Sequence, residues 1–129
     1  MERTMIPRFR AWDKEYKEMV QVDALVFDEQ IIKATYKNGN VVKEDLKNYV
    51  LMQSTGLRDK DGKEIFEGDI VKMAKNVYSE LTYYEVVRHR GGAYRLESKR
   101  YGCELWLRHT DCEIAGNIWE NPELLEVKQ

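Results

Sequence analysis

Cysteine and proline are both scarce in this chain: cysteine occurs only as Cys103 and Cys112, and proline occurs twice. Two cysteines exclude a disulfide framework and predict reduced thiols in a cytosolic protein. Long apolar runs are missing too, so no segment is expected to span a membrane. The N-terminus, Met1-Glu2-Arg3-Thr4-Met5-Ile6-Pro7, lacks the apolar core of a signal peptide. Charge of one sign is also lacking. Lys and Arg number 21 against 23 Asp and Glu, and the net charge of −2 argues against a general nucleic-acid coat while leaving local patches open. No Walker-type phosphate loop and no dinucleotide fingerprint occur. Ser54-Thr55-Gly56 is not a nucleophile elbow, which needs Gly on both sides of the Ser.

What is present is a dense series of strand and turn signals. The 129 residues suffice for a single compact domain over 1–129, with a core that needs no staples. Residues 8–12 alternate charged and apolar side chains, the period of a half-buried strand. Residues 13–17 read as a turn. Val20, Val22, Ala24 and Val26 share one parity and predict a second strand with those four on one face. Asn38-Gly39, between residues 30–36 and Val41-Val42, is the strongest short hairpin signal. Residues 44–48 read as one helical turn. Later, 69–73 and 81–88 read as strands, a polar loop spans 74–79, and Gly91-Gly92 reads as a hairpin turn leading to 93–97. Residues 104–108 read as a further short strand. Gly116 marks a bulge or a close backbone approach within the last strand. Asn121-Pro122-Glu123 opens like a short helix, with Asn at the cap and acid in the first turn.

The densest signals lie in residues 53–71. Asp59-Lys60-Asp61-Gly62 is a turn in which Asp side chains accept from backbone amides and Gly62 takes a positive φ. A calcium site on Asp59, Asp61 and Glu64 is the rival. It has only the first fragment of an EF-hand loop, and the plain turn is the simpler account. The expected fold is mainly β: an N-terminal β unit over 1–51, a small SH3-like β-barrel over 52–129, and a short C-terminal helix.

Chemistry is thinly represented. Cys103, His109 and Cys112, with His89 as a fourth ligand, would suit zinc by residue type, but they lack tight Cys-x-x-Cys or His-x-x-x-His pairs. Ordinary thiols and surface histidines fit better. Glu64, Glu67 and Asp69 read as solvated turn carboxylates rather than a catalytic pair. One constellation has functional colour: Arg88, Arg90, Arg95, Lys99, Arg100 and Arg108, interleaved with Tyr94, Tyr101 and Trp106. Cations would contact phosphates and exposed rings would stack on unpaired bases. The bland alternative puts Tyr94 and Trp106 in the core and the arginines in water, and it is the better fit. Trp119, Leu124 and Leu125 form an apolar C-terminal arm that docks either on its own core or on another copy.

Three motifs in order carry a family resemblance. They are Arg8-Phe9-Arg10-Ala11-Trp12-Asp13; the run from Gln53-Ser54-Thr55-Gly56-Leu57 through Glu67-Gly68-Asp69-Ile70-Val71; and Ile114-Ala115-Gly116-Asn117-Ile118-Trp119-Glu120-Asn121-Pro122. Together the chain from Arg8 to Leu125 resembles the YopX family of phage and prophage proteins. Residues 73–82 and 99–103 look longer than the family's usual connections. The resemblance implies the cytoplasm of a bacterial host, and it transfers no activity and no site residue. The resulting expectation is a non-enzymatic accessory protein without a cofactor that binds an unidentified phage or host protein, or assembles with itself. Alternatives are a single-stranded nucleic-acid-binding barrel using Arg88, Arg90, Arg95, Lys99, Arg100, Tyr101 and Arg108, or a small metal-dependent hydrolase or nuclease.

Overall fold

A computed structural model of the protein describes residues 8–74, 76 and 78–126. The stretch 1–7, read above for a signal peptide, lies outside the described residues, and the loop over 74–79 is described only in part. The chain divides into two compact units, Met1–Ser54 and Thr55–Gln129. The strand pairings described among these residues are antiparallel, in keeping with frequent short turns. No helix among the described residues is long and apolar enough to cross a membrane.

The first unit holds β1 (Phe9–Asp13), β2 (Glu18–Val26), β3 (Ile31–Thr35), β4 (Val41–Asp45) and the start of β5 (Tyr49–Arg58). They pair in the order β4-β3-β2-β1-β5. Ala11, Val20, Ile32, Ala34 and Tyr49 point inward from their strands and form the core. Gly39 takes φ +91° in the Asn38-Gly39 turn, the conformation that makes Gly the favoured residue there. The helical turn expected over 44–48 is a 3-10 turn, Leu46–Asn48, whose Lys47 amide donates to the Asp45 carboxylate.

The parity expected for β2 fails halfway along. The β2–β3 register shifts between Val22 and Ala24. Beyond that point Leu25 packs on the core and Ala24 is exposed. One extra residue in a strand exchanges its faces, so a bulge moves every later side chain to the other side.

The second unit contains the rest of β5, then β6 (Glu64–Phe66), β7 (Asp69–Ala74), β8 (Leu81–Arg88), β9 (Tyr94–Glu97), β10 (Gly102–Glu104), α1 (Leu105–Arg108) and β11 (Glu113–Asn117). A 3-10 helix, Pro122–Glu126, follows. β7–β11 form a five-stranded sheet ordered β10-β9-β8-β7-β11. Among the described residues no ladder joins β10 to β11, so the sheet has two ends. Its core gathers Val71, Met73, Tyr84, Val86 and Leu96 from the sheet, Ile65 from β6 and Leu105 from α1.

The structure departs from two local expectations. Residues 104–108 are not a strand: Glu104 is the last extended residue, with φ −73° and ψ 128°, and α1 follows it. A strand would send Leu105 and Leu107 to one face. In α1 Leu105 is fully buried, whereas Trp106 is 66% and Leu107 60% exposed. At the C-terminus the helix is of the 3-10 type, and Asn121 does not cap it with its side chain. Its Oδ1 accepts from the Asn117 amide instead.

Candidate binding surface at the edge of the second sheet

Asp69 is buried, contrary to its reading as a solvated turn acid, and Asp59 is buried as well. Asp69 accepts from the Phe66 amide at 2.8 Å. The Asp59 carboxylate accepts from Asp61 and Lys63 within its turn, both at 2.9 Å, and from Ile114 of β11 at 3.0 Å. Burial pushes its pKa up, and the three amide bonds more than reverse this, holding it below the usual carboxylate range. The neighbouring Lys60 amide donates to Cys112 O at 2.9 Å. Lys60 Nζ pairs with Glu113 at 3.1 Å. The turn 59–62 therefore covers the outer edge of β11, satisfying groups that an edge strand would leave bare.

Two arginines of the cation-rich segment are paired. Arg95 bonds Glu104 at 2.7 Å and Glu97 at 3.3 Å. Arg108 bonds Asp111 and the carbonyl of Ala74, each at 2.9 Å. The exposed cations fall in two turns. Arg88 and Arg90 lie at the β8–β9 turn, and Lys99 and Arg100 lie beside Tyr101 at the β9–β10 turn. β9 lies between those turns, and four strand residues span roughly 13 Å. Tyr94 is half-buried against the core, as its parity with Leu96 predicts, whereas Trp106 is exposed.

The thiols and imidazoles are engaged separately. Cys112 is buried against Met73 Sδ, 3.8 Å away, and burial pushes its thiol up to about 12. Half-buried Cys103 is also raised by burial. His109 Nδ1 lies 2.7 Å from Arg58 O, and His89 Nε2 lies 3.0 Å from Glu97. Among the described residues no three His, Cys, Asp or Glu side chains converge on one point.

Trp119, Leu124 and Leu125 are half-buried. The 3-10 helix that carries the two leucines lies against β8 of its own unit. Leu125 joins Tyr83, Glu85, Glu97, Ser98 and Lys99 around a hollow of about 250 Å³. Glu85 and Glu97 stand directly opposite each other there, and burial raises the Glu85 carboxyl. The arm's entry depends on Gly116, where any Cβ would overlap the Asn121 side chain. Gly116→Ala is expected to displace Asn121 and cost about 1 kcal/mol through overpacking. Limited proteolysis should then cut after residue 118 faster than in the unsubstituted chain.

Sequence reasoning missed the exposed pair Trp106 and Leu107. Arg108 fastens their helix to Ala74, and the Cys112 thiol meets the Arg108 carbonyl at 3.3 Å. Two adjacent large apolar residues are thus presented on a pinned turn. A period-2 reading of 104–108 signals Trp106 alone, on the face away from Leu105; it puts Leu107 beside Leu105, and only the helical turn exposes both.

Comparison with known proteins agrees in extent with this architecture. The family described as YopX protein matches residues 8–126. The crystal structure of protein EF1440 from Enterococcus faecalis is similar at 32% sequence identity and a TM-score of 0.66, over 95% of this chain and 99% of that one. No curated protein matches the chain.

Proposed function

The chain belongs to the YopX family, and on that premise we propose that it is a non-enzymatic phage or prophage accessory protein of the bacterial cytoplasm. It acts by binding other protein chains, copies of itself included. The supporting observation is the pair Trp106 and Leu107, large apolar side chains left 66% and 60% exposed on a helix that Arg108 holds in place. Exposed aromatic anchors on a preorganised backbone lose little entropy on binding and dominate the energetics of many interfaces. For the second unit we keep the SH3-like barrel as the finer description. In its favour, Leu57 and Ile65 of the β5–β6 hairpin pack into the same core as β7, β8 and β9.

Single-stranded nucleic-acid binding draws less support from this geometry, because Arg95 and Arg108 are already paired and the exposed cations occupy opposite ends of β9. A hydrolase built on the turn carboxylates draws less still, since Asp59 is saturated by amides.

The test is co-expression of tagged and untagged chain in bacterial cells, with capture through the tag. Trp106→Ser with Leu107→Ser should leave the melting temperature nearly unchanged, as exposed substitutions do. Capture of protein, whether the untagged copy or another chain, should fall at least tenfold. Equal capture by the folded double variant would remove this surface from the function.

A further inference from the structure

We propose that β10 is where two copies of this chain pair, edge to edge and antiparallel, continuing the sheet of the second unit across a two-fold axis. The inference rests on the protein-binding reading above and specifies its partner.

The two ends of that sheet differ. At β11 the edge is occupied by the Asp59 carboxylate and the Lys60 amide. At β10 the chain ends the sheet with no further strand beside it among the described residues. The Ser98 amide donates to Tyr101 O and closes the β9–β10 hairpin. Hydrogen-bonded and non-hydrogen-bonded pairs alternate along an antiparallel ladder. Cys103 therefore turns its backbone groups toward Leu96, its partner in the register, and Gly102 and Glu104 turn theirs outward. These outward groups are what a further strand would use.

The residues beside β10 favour a second copy as that strand. Before it stand exposed Lys99, Arg100 and Tyr101, and after it exposed Trp106 and Leu107. A two-fold antiparallel pairing centred on Cys103 brings the first flank of each copy to the second flank of the other. Arginine and tyrosine then meet tryptophan, a cation–π and aromatic match. A parallel pairing would instead set Lys99 and Arg100 against the same two cations. Within the strand the two-fold pairing places Gly102 opposite Glu104 of the second copy, so no like charges face each other. Such a contact is isologous and closes at two copies.

Glu104 provides a clean test. Its φ of −73° suits proline, and its amide points outward, so Glu104→Pro removes an edge donor without straining the strand. Glu104→Ala loses the same carboxylate and keeps the amide. The full chain and both variants are to be measured by sedimentation over a concentration series. The full chain and Glu104→Ala should form a concentration-dependent dimer, and Glu104→Pro should dimerise at least tenfold more weakly. Should Glu104→Pro fail to fold, amide exchange in the unsubstituted chain serves instead. Protection of Gly102 and Glu104 should rise with protein concentration, and flat protection overturns the proposal.

A monomer at every concentration, or equal dimerisation by the two variants, also overturns it. That failure is separable from failure of the broader reading. A monomeric chain whose capture of another protein is still abolished by Trp106→Ser with Leu107→Ser would leave protein binding standing with a different occupant.

Discussion

Asp59→Ala is expected to destabilise the protein by about 3 kcal/mol and to lower its melting temperature by roughly 10 °C. The carboxylate is 4% exposed and holds three backbone amides, two in its own turn and one in β11. Alanine removes the acceptor and leaves those amides partly buried without it. The cost is the desolvation penalty of several donors, which exceeds the net worth of the bonds themselves. Thermal unfolding followed by circular dichroism measures the loss, and a change below about 1 kcal/mol would show that water replaces the carboxylate. The same bonds predict an acid limit. The folded pKa of Asp59 lies below its unfolded value, so its contribution is complete above the ordinary carboxylate range and disappears as pH falls through the folded value. In Asp59→Ala the acid branch of the stability profile should therefore be shallower.

Asp13→Ala should have the second-largest effect, about 2 kcal/mol, in the first unit. Asp13 is 2% exposed. Its Oδ1 accepts from the Glu15 and Tyr16 amides at 2.9 and 3.1 Å, fastening the β1–β2 turn. Its Oδ2 accepts from the Tyr36 hydroxyl. The Tyr36 and Tyr49 oxygens are 2.7 Å apart, and Tyr49 donates to Glu44 at 2.9 Å. One line of polar groups thus joins two carboxylates through two phenols. Alanine at position 13 loosens the turn and strips Tyr36 of its acceptor at once.

This line also sets an alkaline limit. Burial first, and the Glu44 carboxylate after it, pushes the Tyr49 hydroxyl up to about 12, while its bond with Tyr36 works the other way. Burial and the Asp13 bond likewise raise Tyr36. Both phenols are held neutral by the fold. Their contribution is complete below the ordinary tyrosine value near 10 and falls as pH rises beyond it, the Tyr49 part being lost as pH climbs through about 12. Phenolate absorbance against pH should show Tyr36 and Tyr49 ionising late, together with Tyr84 and Tyr94, which burial also raises. Asp13→Ala should bring Tyr36 closer to the ordinary tyrosine value and leave Tyr84 and Tyr94 where they are.

Turns were legible where their chemistry is local. Asn38-Gly39, Asp59 to Gly62 and Gly91-Gly92 each reverse the chain where Gly accepts a positive φ. The strand at 81–88 was legible because its alternation is unbroken, and Tyr84 and Val86 are indeed buried on one face. The second half of β2 was not, since its bulge is defined only against β3. Nor was the short helix α1, because four residues offer no helical period. The acids were legible in part. The bonds of Asp59 within its own turn are local, whereas its third donor, the amide of Ile114, lies 55 residues further on. Six cations lie within 21 residues, and the sequence did not show that Arg95 and Arg108 among them are paired with acids.

By itself the sequence determined the class of protein: mainly β, antiparallel, without disulfides, and a member of the YopX family by three motifs in order. The fold class and the lack of a disulfide framework follow from composition, from period-2 patterning and from turn residues, all of which act over a few positions, whereas the family follows from the resemblance of the motifs. Only the tertiary structure decided which carboxylates are fasteners, which arginines are paired, and which sheet edge is covered. Each of those depends on groups distant in sequence meeting at about 3 Å, a distance set by the folded chain as a whole.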